Sequence, residues 1–116
     1  MLPADGSLLR IFVGESDRYE KQPLYEWVVV QAKTQGLAGA TVLRGLMGFG
    51  ANTRVIHSFK IERLSEDLPM IIELVDTTDK LETFLSFVEQ HIHTGLVATM
   101  EKVQVRVYPG NKSTAG

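Results

Sequence analysis

The sequence contains no cysteine. That absence removes disulfides, thiolate nucleophiles and cysteine-based zinc sites together. Charge of one sign is lacking too. Twelve Lys and Arg stand against 14 Asp and Glu, a formal net charge of −2, with no basic stripe of the kind a nucleic-acid binder carries. No apolar run approaches the roughly 20 residues that span a bilayer, so neither nucleic acid nor direct membrane insertion is expected. The opening Met1-Leu2-Pro3-Ala4-Asp5-Gly6 has neither the basic nor the apolar segment of a secretory leader, and the expected compartment is cytoplasmic. Without cysteine, the nucleophile candidates are Ser16, Ser58, Ser65 and Ser86. None lies in an elbow motif or beside a sequence-adjacent base. No catalytic residue is assigned, and the expectation is a protein that is not an enzyme.

What is present describes one globular domain. The 116 residues are 44% hydrophobic and 22% charged, enough for a single core and too few for two. The expected core covers about residues 8–108, with flexible tails at 1–7 and 109–116. Leu9, Ile11 and Val13 alternate with Arg10 and Phe12, the period of a strand with one buried face. Gly14 ends it, and Glu15 to Lys21 reads as a polar loop. Pro23 suits a first helical position. Leu24, Tyr25, Val28, Val29 and Ala32 then form one helical stripe up to Gln35, before Gly36 as a left-handed stop.

A second strand runs from Gly39 to about Met47 and opens into a segment with glycines at 45, 48 and 50. Such glycines mark a strand end that turns into a specially shaped loop. Arg44 and Arg54 frame it, so exposed backbone N–H groups and two guanidinium groups are available to an anion. His57 to Leu64 alternates as a further strand, and Pro69 to Val75 as a third, mostly apolar one. Asp76 or Thr77 is positioned to cap the next helix, with Asp79 in its first turn. Leu81, Phe84, Leu85, Val88 and Ile92 follow helical spacing until Thr94-Gly95. Val103, Val105 and Val107 alternate as a last strand.

The order β-α-β-loop-β-α-β predicts an α+β, ferredoxin-like (βαββαβ) sandwich, with helices on one face of an antiparallel sheet. Phe12, Val42 and Leu46 alternate away from the inner set, leaving an apolar second face that predicts self-association. Trp27 and Val30 fall on the opposite flank of the first helix from its stripe. They read as a contact surface for another subunit or, equally, as packing against a neighbouring element. His91 and His93, two apart on a helix, point away from each other and cannot chelate one ion; no metal site is assigned.

Several blocks together resemble a family. They are Gly14-Glu15-Ser16-Asp17-Arg18-Tyr19, Pro23-Leu24-Tyr25-Glu26, Gly36 through Val42, Leu43 through Asn52, and Leu64 through Pro69. In combination they resemble the uncharacterised prokaryotic PII-like proteins, domain-of-unknown-function family 190. The resemblance spans about residues 8–108 and implies a ferredoxin-like subunit and a trimer, as in PII signalling and CutA-type proteins. Gly48-Phe49-Gly50 is similar to the glycine pair at the root of PII's long loop, near its nucleotide phosphates. Thr94-Gly95 resembles the start of the PII phosphate loop. There, however, PII continues with Gly-Asp-Gly-Lys, while this chain has Ala98-Thr99-Met100-Glu101-Lys102.

The function this implies is a regulatory homotrimer without a resident cofactor. A small anionic effector, with nucleotides among the candidates, would bind at the subunit cleft through Arg44, Gly48, Phe49, Gly50, Arg54, Lys102 and Arg106. A mobile loop over roughly 48–60 would contact an unknown target protein, and Phe12, Trp27, Val30 and Val42 would contact partner subunits. The alternatives are a structural scaffold trimer without ligand and a CutA-like metal-tolerance protein.

Overall fold

The computed structural model describes residues 5–49 and 68–110. The elements are β1 (Asp5–Gly14), β2 (Arg18–Tyr19), β3 (Gln22–Pro23), α1 (Leu24–Thr34), β4 (Gly39–Arg44), β5 (Pro69–Asp76), α2 (Thr78–His91) and β6 (Val97–Gln104). Four of the strands form one sheet in the order β4-β5-β1-β6, and every neighbouring pair is antiparallel. Each helix links strands that are not adjacent in the sheet, which is the split βαβ arrangement the alternation predicted.

The core lies between the sheet and the two helices. Leu9, Ile11 and Val13 of β1 and Met70, Ile72 and Leu74 of β5 meet Leu24, Val28 and Ala32 of α1 and Leu81, Phe84 and Val88 of α2. The strict period of two in β1 and β5 decides which face is covered, because one residue of slippage would turn the whole apolar set to solvent. Gly36, at φ +81°, closes α1 in the left-handed conformation that glycine tolerates. The side chain of Thr77 accepts from Lys80 N and caps α2.

Asp76 has a different task. It is only 3% exposed. Its Oδ1 accepts from Thr77 N at 2.7 Å and its Oδ2 from Ala38 N at 2.8 Å. One carboxylate thus ties the turn after α1 to the start of α2.

The observed boundaries differ from expectation in instructive places. Residues 5–7 are not a loose lead: they pair with Gln104, Val103 and Lys102, and Ser7 is buried. The polar stretch before α1 folds into the small β2–β3 hairpin, where Glu20 takes φ +55°. Pro23 flanks α1 at its N-cap, with ψ 138°, and is not its first helical residue. β4 stops at Arg44, three residues before the expected end. β6 begins at Val97, so Ala98–Lys102 are strand residues paired with β1, and Val105 and Val107 lie beyond the strand.

Two contact residues need correction. Val42 registers with Ile72 and packs on the helix-covered side of the sheet, not on its outer face. Trp27 is 7% exposed and belongs to the core. Its ring stacks on Phe87, with centroids 5.8 Å apart, and lies 4.6 Å from Tyr19. The β2–β3 hairpin supplies that tyrosine, and without the hairpin the flank looks bare on a helical wheel. The expected strand over 57–64, the mobile loop over 48–60 from Gly50 onward, and the ends 1–4 and 111–116 lie outside the described residues.

Candidate functional site

Two ends of the sheet carry the residues expected to meet an anion. Gly14 opposite Pro69, and Arg44 opposite Met70, define one end. Ser7 opposite Lys102, and Asp5 opposite Gln104, define the other.

At the first end, the β4 exit is tightly built. Gly45 N donates to Pro69 O at 2.7 Å, continuing the β4–β5 ladder by one residue. A Cβ on Gly45 would sit 2.6 Å from Pro69 Cγ, so this glycine is needed for close approach. Arg44 Nη2 lies 3.2 Å from Glu15 Oε1, with its side chain half exposed. Glu15 N in turn donates to Leu68 O at 2.7 Å. The β1–α1 connection is organised by Asp17: its Oδ2 accepts from Gly14 N at 2.8 Å and its carbonyl from Leu24 N at 2.8 Å. Gly48 and exposed Phe49 follow at this same end, while Gly50 and Arg54 lie outside the described residues.

Beside this connection lies an open cleft of about 520 Å³, lined by Asp17, Arg18, Tyr19, Leu24, His91, Ile92, His93, Thr94 and Gly95. The sequence predicts both histidines on one helix, pointing apart. In the structure α2 ends at His91, Ile92 is extended, and both histidines line the same cleft. Nδ1 of His91 donates to Phe87 O at 2.9 Å, and the His91 ring packs 4.5 Å from Phe87 and 5.4 Å from Trp27. Among the described residues no group of three or more His, Asp or Glu is gathered to hold a metal ion.

Lys102 stands at the other end of the sheet, and Arg106 beyond it. From Gly14 to Ser7 the separation along β1 is roughly 23 Å at about 3.3 Å per residue. Within one chain, therefore, Lys102 and Arg106 are not brought to Arg44, Gly48 and Phe49.

The sheet face opposite the helices carries a feature that sequence reasoning did not assemble. Leu8, Phe12, Leu43, Ile71, Val75 and Val97 share it by register. In its middle Arg10 Nε bonds Glu73 Oε2 at 3.0 Å, and Nη1 bonds Glu101 Oε1 at 2.7 Å. These two hydrogen bonds, Glu73's first, hold the guanidinium pKa above its ordinary value against a smaller desolvation effect. The signal was one outward charge in each of three adjacent strands, legible only once their register is known. Val30 is exposed on α1, apart from this face.

Among the described residues no helix is long and apolar enough to cross a membrane. Comparison with known proteins points one way. A UPF0166 protein of Aquifex aeolicus is 39% identical over 98 residues, covering 84% of this chain and 90% of that one. A UPF0166 protein of Methanocaldococcus jannaschii is 37% identical over 78 residues, or 67% of this chain and 70% of the relative. Among solved structures, a PII-like signalling protein of Thermus thermophilus matches with a TM-score of 0.62 at 20% identity, over 90% of this chain and 93% of that one. CPII of Thiomonas intermedia, solved with ADP, AMP and acetate, matches with a TM-score of 0.58 at 19% identity, over 92% and 93% of the two chains. The fold is thus the PII-like one. The model of the family DUF190, described as "Uncharacterized ACR", matches residues 6–105, and the chain belongs to that family.

Proposed function

We propose that the protein is a PII-like regulatory protein acting as a homotrimer. It binds a small anionic effector, with adenine nucleotides the leading class, in the cleft between subunits. It signals to a target protein through the segment rooted at Gly48–Phe49. The observation that carries this reading is the fold: a β4-β5-β1-β6 sheet similar over most of its length to CPII, a protein solved with ADP and AMP. The distribution of charge supports it. Arg44 and the glycine root lie at one sheet end and Lys102 and Arg106 at the other, so a complete basic site requires two subunits. Charge-assisted hydrogen bonds from such groups favour phosphate or carboxylate.

Isothermal titration with ATP, ADP, AMP, cyclic AMP, bicarbonate and acetate tests the reading. One of them is expected to bind, and at 100 times its dissociation constant to raise stability by about 2.7 kcal/mol. Arg106→Ala is expected to weaken that binding by about 1.5–3 kcal/mol, the range for a hydrogen bond to a charged group. Absence of binding across the panel leaves a ligand-free scaffold instead.

A further inference from the structure

We infer that the cleft between the β1–α1 connection and the end of α2 is an anion site inside one subunit, fitted to the phosphate group of a small phosphomonoester. It stands apart from the effector site proposed above: it needs no second subunit and uses none of that site's residues.

The wall of the cleft is fixed by the fold. Asp17 is held from both directions, its Oδ2 by Gly14 N and its carbonyl by Leu24 N, each at 2.8 Å. Tyr19 lies 4.6 Å from Trp27 and meets His91 edge-on at 6.0 Å. On this wall stand three side chains whose hydrogen-bonding capacity the fold leaves unspent. Arg18 gives Nη2 to Lys21 O, and its other N–H groups have no acceptor among the described residues. The His93 ring has no hydrogen-bond or ring partner there either. His91 donates Nδ1–H to Phe87 O, so Nε2 carries the lone pair of the neutral ring. Two segments far apart in sequence thus bring a guanidinium and two imidazoles to one preformed space.

The chemistry of that set selects its ligand. Arg18 is the single full cation of the lining, and paired guanidinium N–H groups suit phosphate. The single carboxylate of the lining, Asp17, spends one oxygen on Gly14 N. The amino end of α1 and the carboxyl end of α2 both border the cleft, so the helix dipoles offset one another and the side chains decide. A metal cation is disfavoured, because Arg18 repels it and no third ligand joins the two histidines. Between carboxylate and phosphate, the count of groups discriminates. A carboxylate brings two acceptor oxygens and no proton. A phosphomonoester brings three, and near its second pKa of about 6 it also carries an O–H. Arg18 and His93 then donate to the oxygens, and the P–O–H donates to Nε2 of His91. At about 520 Å³ the cleft also has room for the organic part of such an ester, within the range of about 300–1,000 Å³ for small-molecule sites.

The test uses the full chain, titrated with inorganic phosphate, phenyl phosphate and acetate at matched ionic strength and read by amide NMR shifts. Saturable shifts are expected at Arg18, Tyr19, His93 and Gly95, with both phosphates binding more tightly than acetate. Arg18→Gln is expected to weaken phosphate at least about tenfold, the loss of one hydrogen bond to a charged group. His93→Gln, which breaks no contact of the fold, is expected to weaken it as well. Lys33→Gln removes an equal charge from the far end of α1 and is expected to change affinity by less than about twofold. No saturable shift with either phosphate, or acetate binding as tightly, overturns the inference alone. Phosphate lost in Arg106→Ala and kept in Arg18→Gln places the anion between subunits, overturning this inference and supporting the proposed function. Nucleotide binding abolished by Arg18→Gln and untouched by Arg106→Ala does the reverse.

Discussion

Asp76 offers the sharpest test of how the turn before β4 is held. Its Oδ1 takes Thr77 N at 2.7 Å and its Oδ2 takes Ala38 N at 2.8 Å. Lys80 Nζ is 3.6 Å away and donates its hydrogen bond to Gly36 O instead. Hydrogen bonds to a charged group are worth about 1.5–3 kcal/mol each. Asparagine keeps one acceptor oxygen and turns an amide toward the other donor, so Asp76→Asn is expected to destabilise by about 1.5–3 kcal/mol. Alanine loses both bonds, but Ala38 is exposed and its N–H can turn to water, which brings the cost of Asp76→Ala to about 2–4 kcal/mol. Lys80 is half exposed in a long ion pair, and Lys80→Ala should cost no more than about 0.5 kcal/mol. Urea titration at one fixed protomer concentration reads all three as shifts in midpoint at constant slope. If Lys80→Ala proves as damaging as Asp76→Ala, the ion pair and not the backbone anchoring holds the turn, and the reasoning fails.

Four further outcomes follow from the placement of single side chains. Phe12→Asp, on the open sheet face, is expected to dissociate the oligomer while the circular dichroism spectrum is kept; Val42→Asp, on the core side, is expected to lose the folded signal itself. Gly45→Ala drives a methyl to 2.6 Å from Pro69 Cγ, and faster hydrogen exchange at Gly45 N and along the β4–β5 ladder would register the shift. Trp27→Ala empties the space between Tyr19 and Phe87 and is expected to destabilise by about 3–5 kcal/mol; a change under about 1 kcal/mol in urea titration would argue for a surface role after all.

Legibility followed the range of the interactions. Strands β1 and β5 and helix α2 were readable because each carries its own period: Leu9, Ile11 and Val13 alternate, and Leu81, Phe84 and Val88 recur at helical spacing. For Trp27 the packing alternative holds, and local sequence does not choose it because the partners, Tyr19 and Phe87, come from a hairpin and a second helix. Val42 was misplaced for a related reason. Its face depends on the register Val42 to Ile72, and a short edge strand carries too little alternation to fix that alone. Of the two cap candidates, Asp76 and Thr77, Thr77 takes the cap, while a carboxylate bond of Asp76 reaches 38 residues back to Ala38. The Arg10, Glu73 and Glu101 cluster is the extreme case, since it unites three strands.

The same logic bears on the expected anion site. The resemblance sets Ala98–Lys102 against the Gly-Asp-Gly-Lys of the PII phosphate loop. The register shows a positive use for those residues: Ala98 pairs with Ile11, Met100 with Leu9 and Lys102 with Ser7. A glycine-rich loop in that place would weaken the β1–β6 ladder, because glycine disfavours strand interiors by roughly 0.5–1 kcal/mol relative to alanine. Ala98 and Met100 also pack against the core cluster, so this stretch is committed to the sheet through both backbone and side chains. Backbone donors for a phosphate must therefore come from elsewhere, and at the Arg44 end the segment beginning at Gly45 already spends its first N–H on Pro69 O. Among the described residues that end offers Arg44, held by Glu15, and the Gly48–Phe49 backbone, together with whatever a second subunit brings. The effector site proposed for this protein is consequently one that assembly completes.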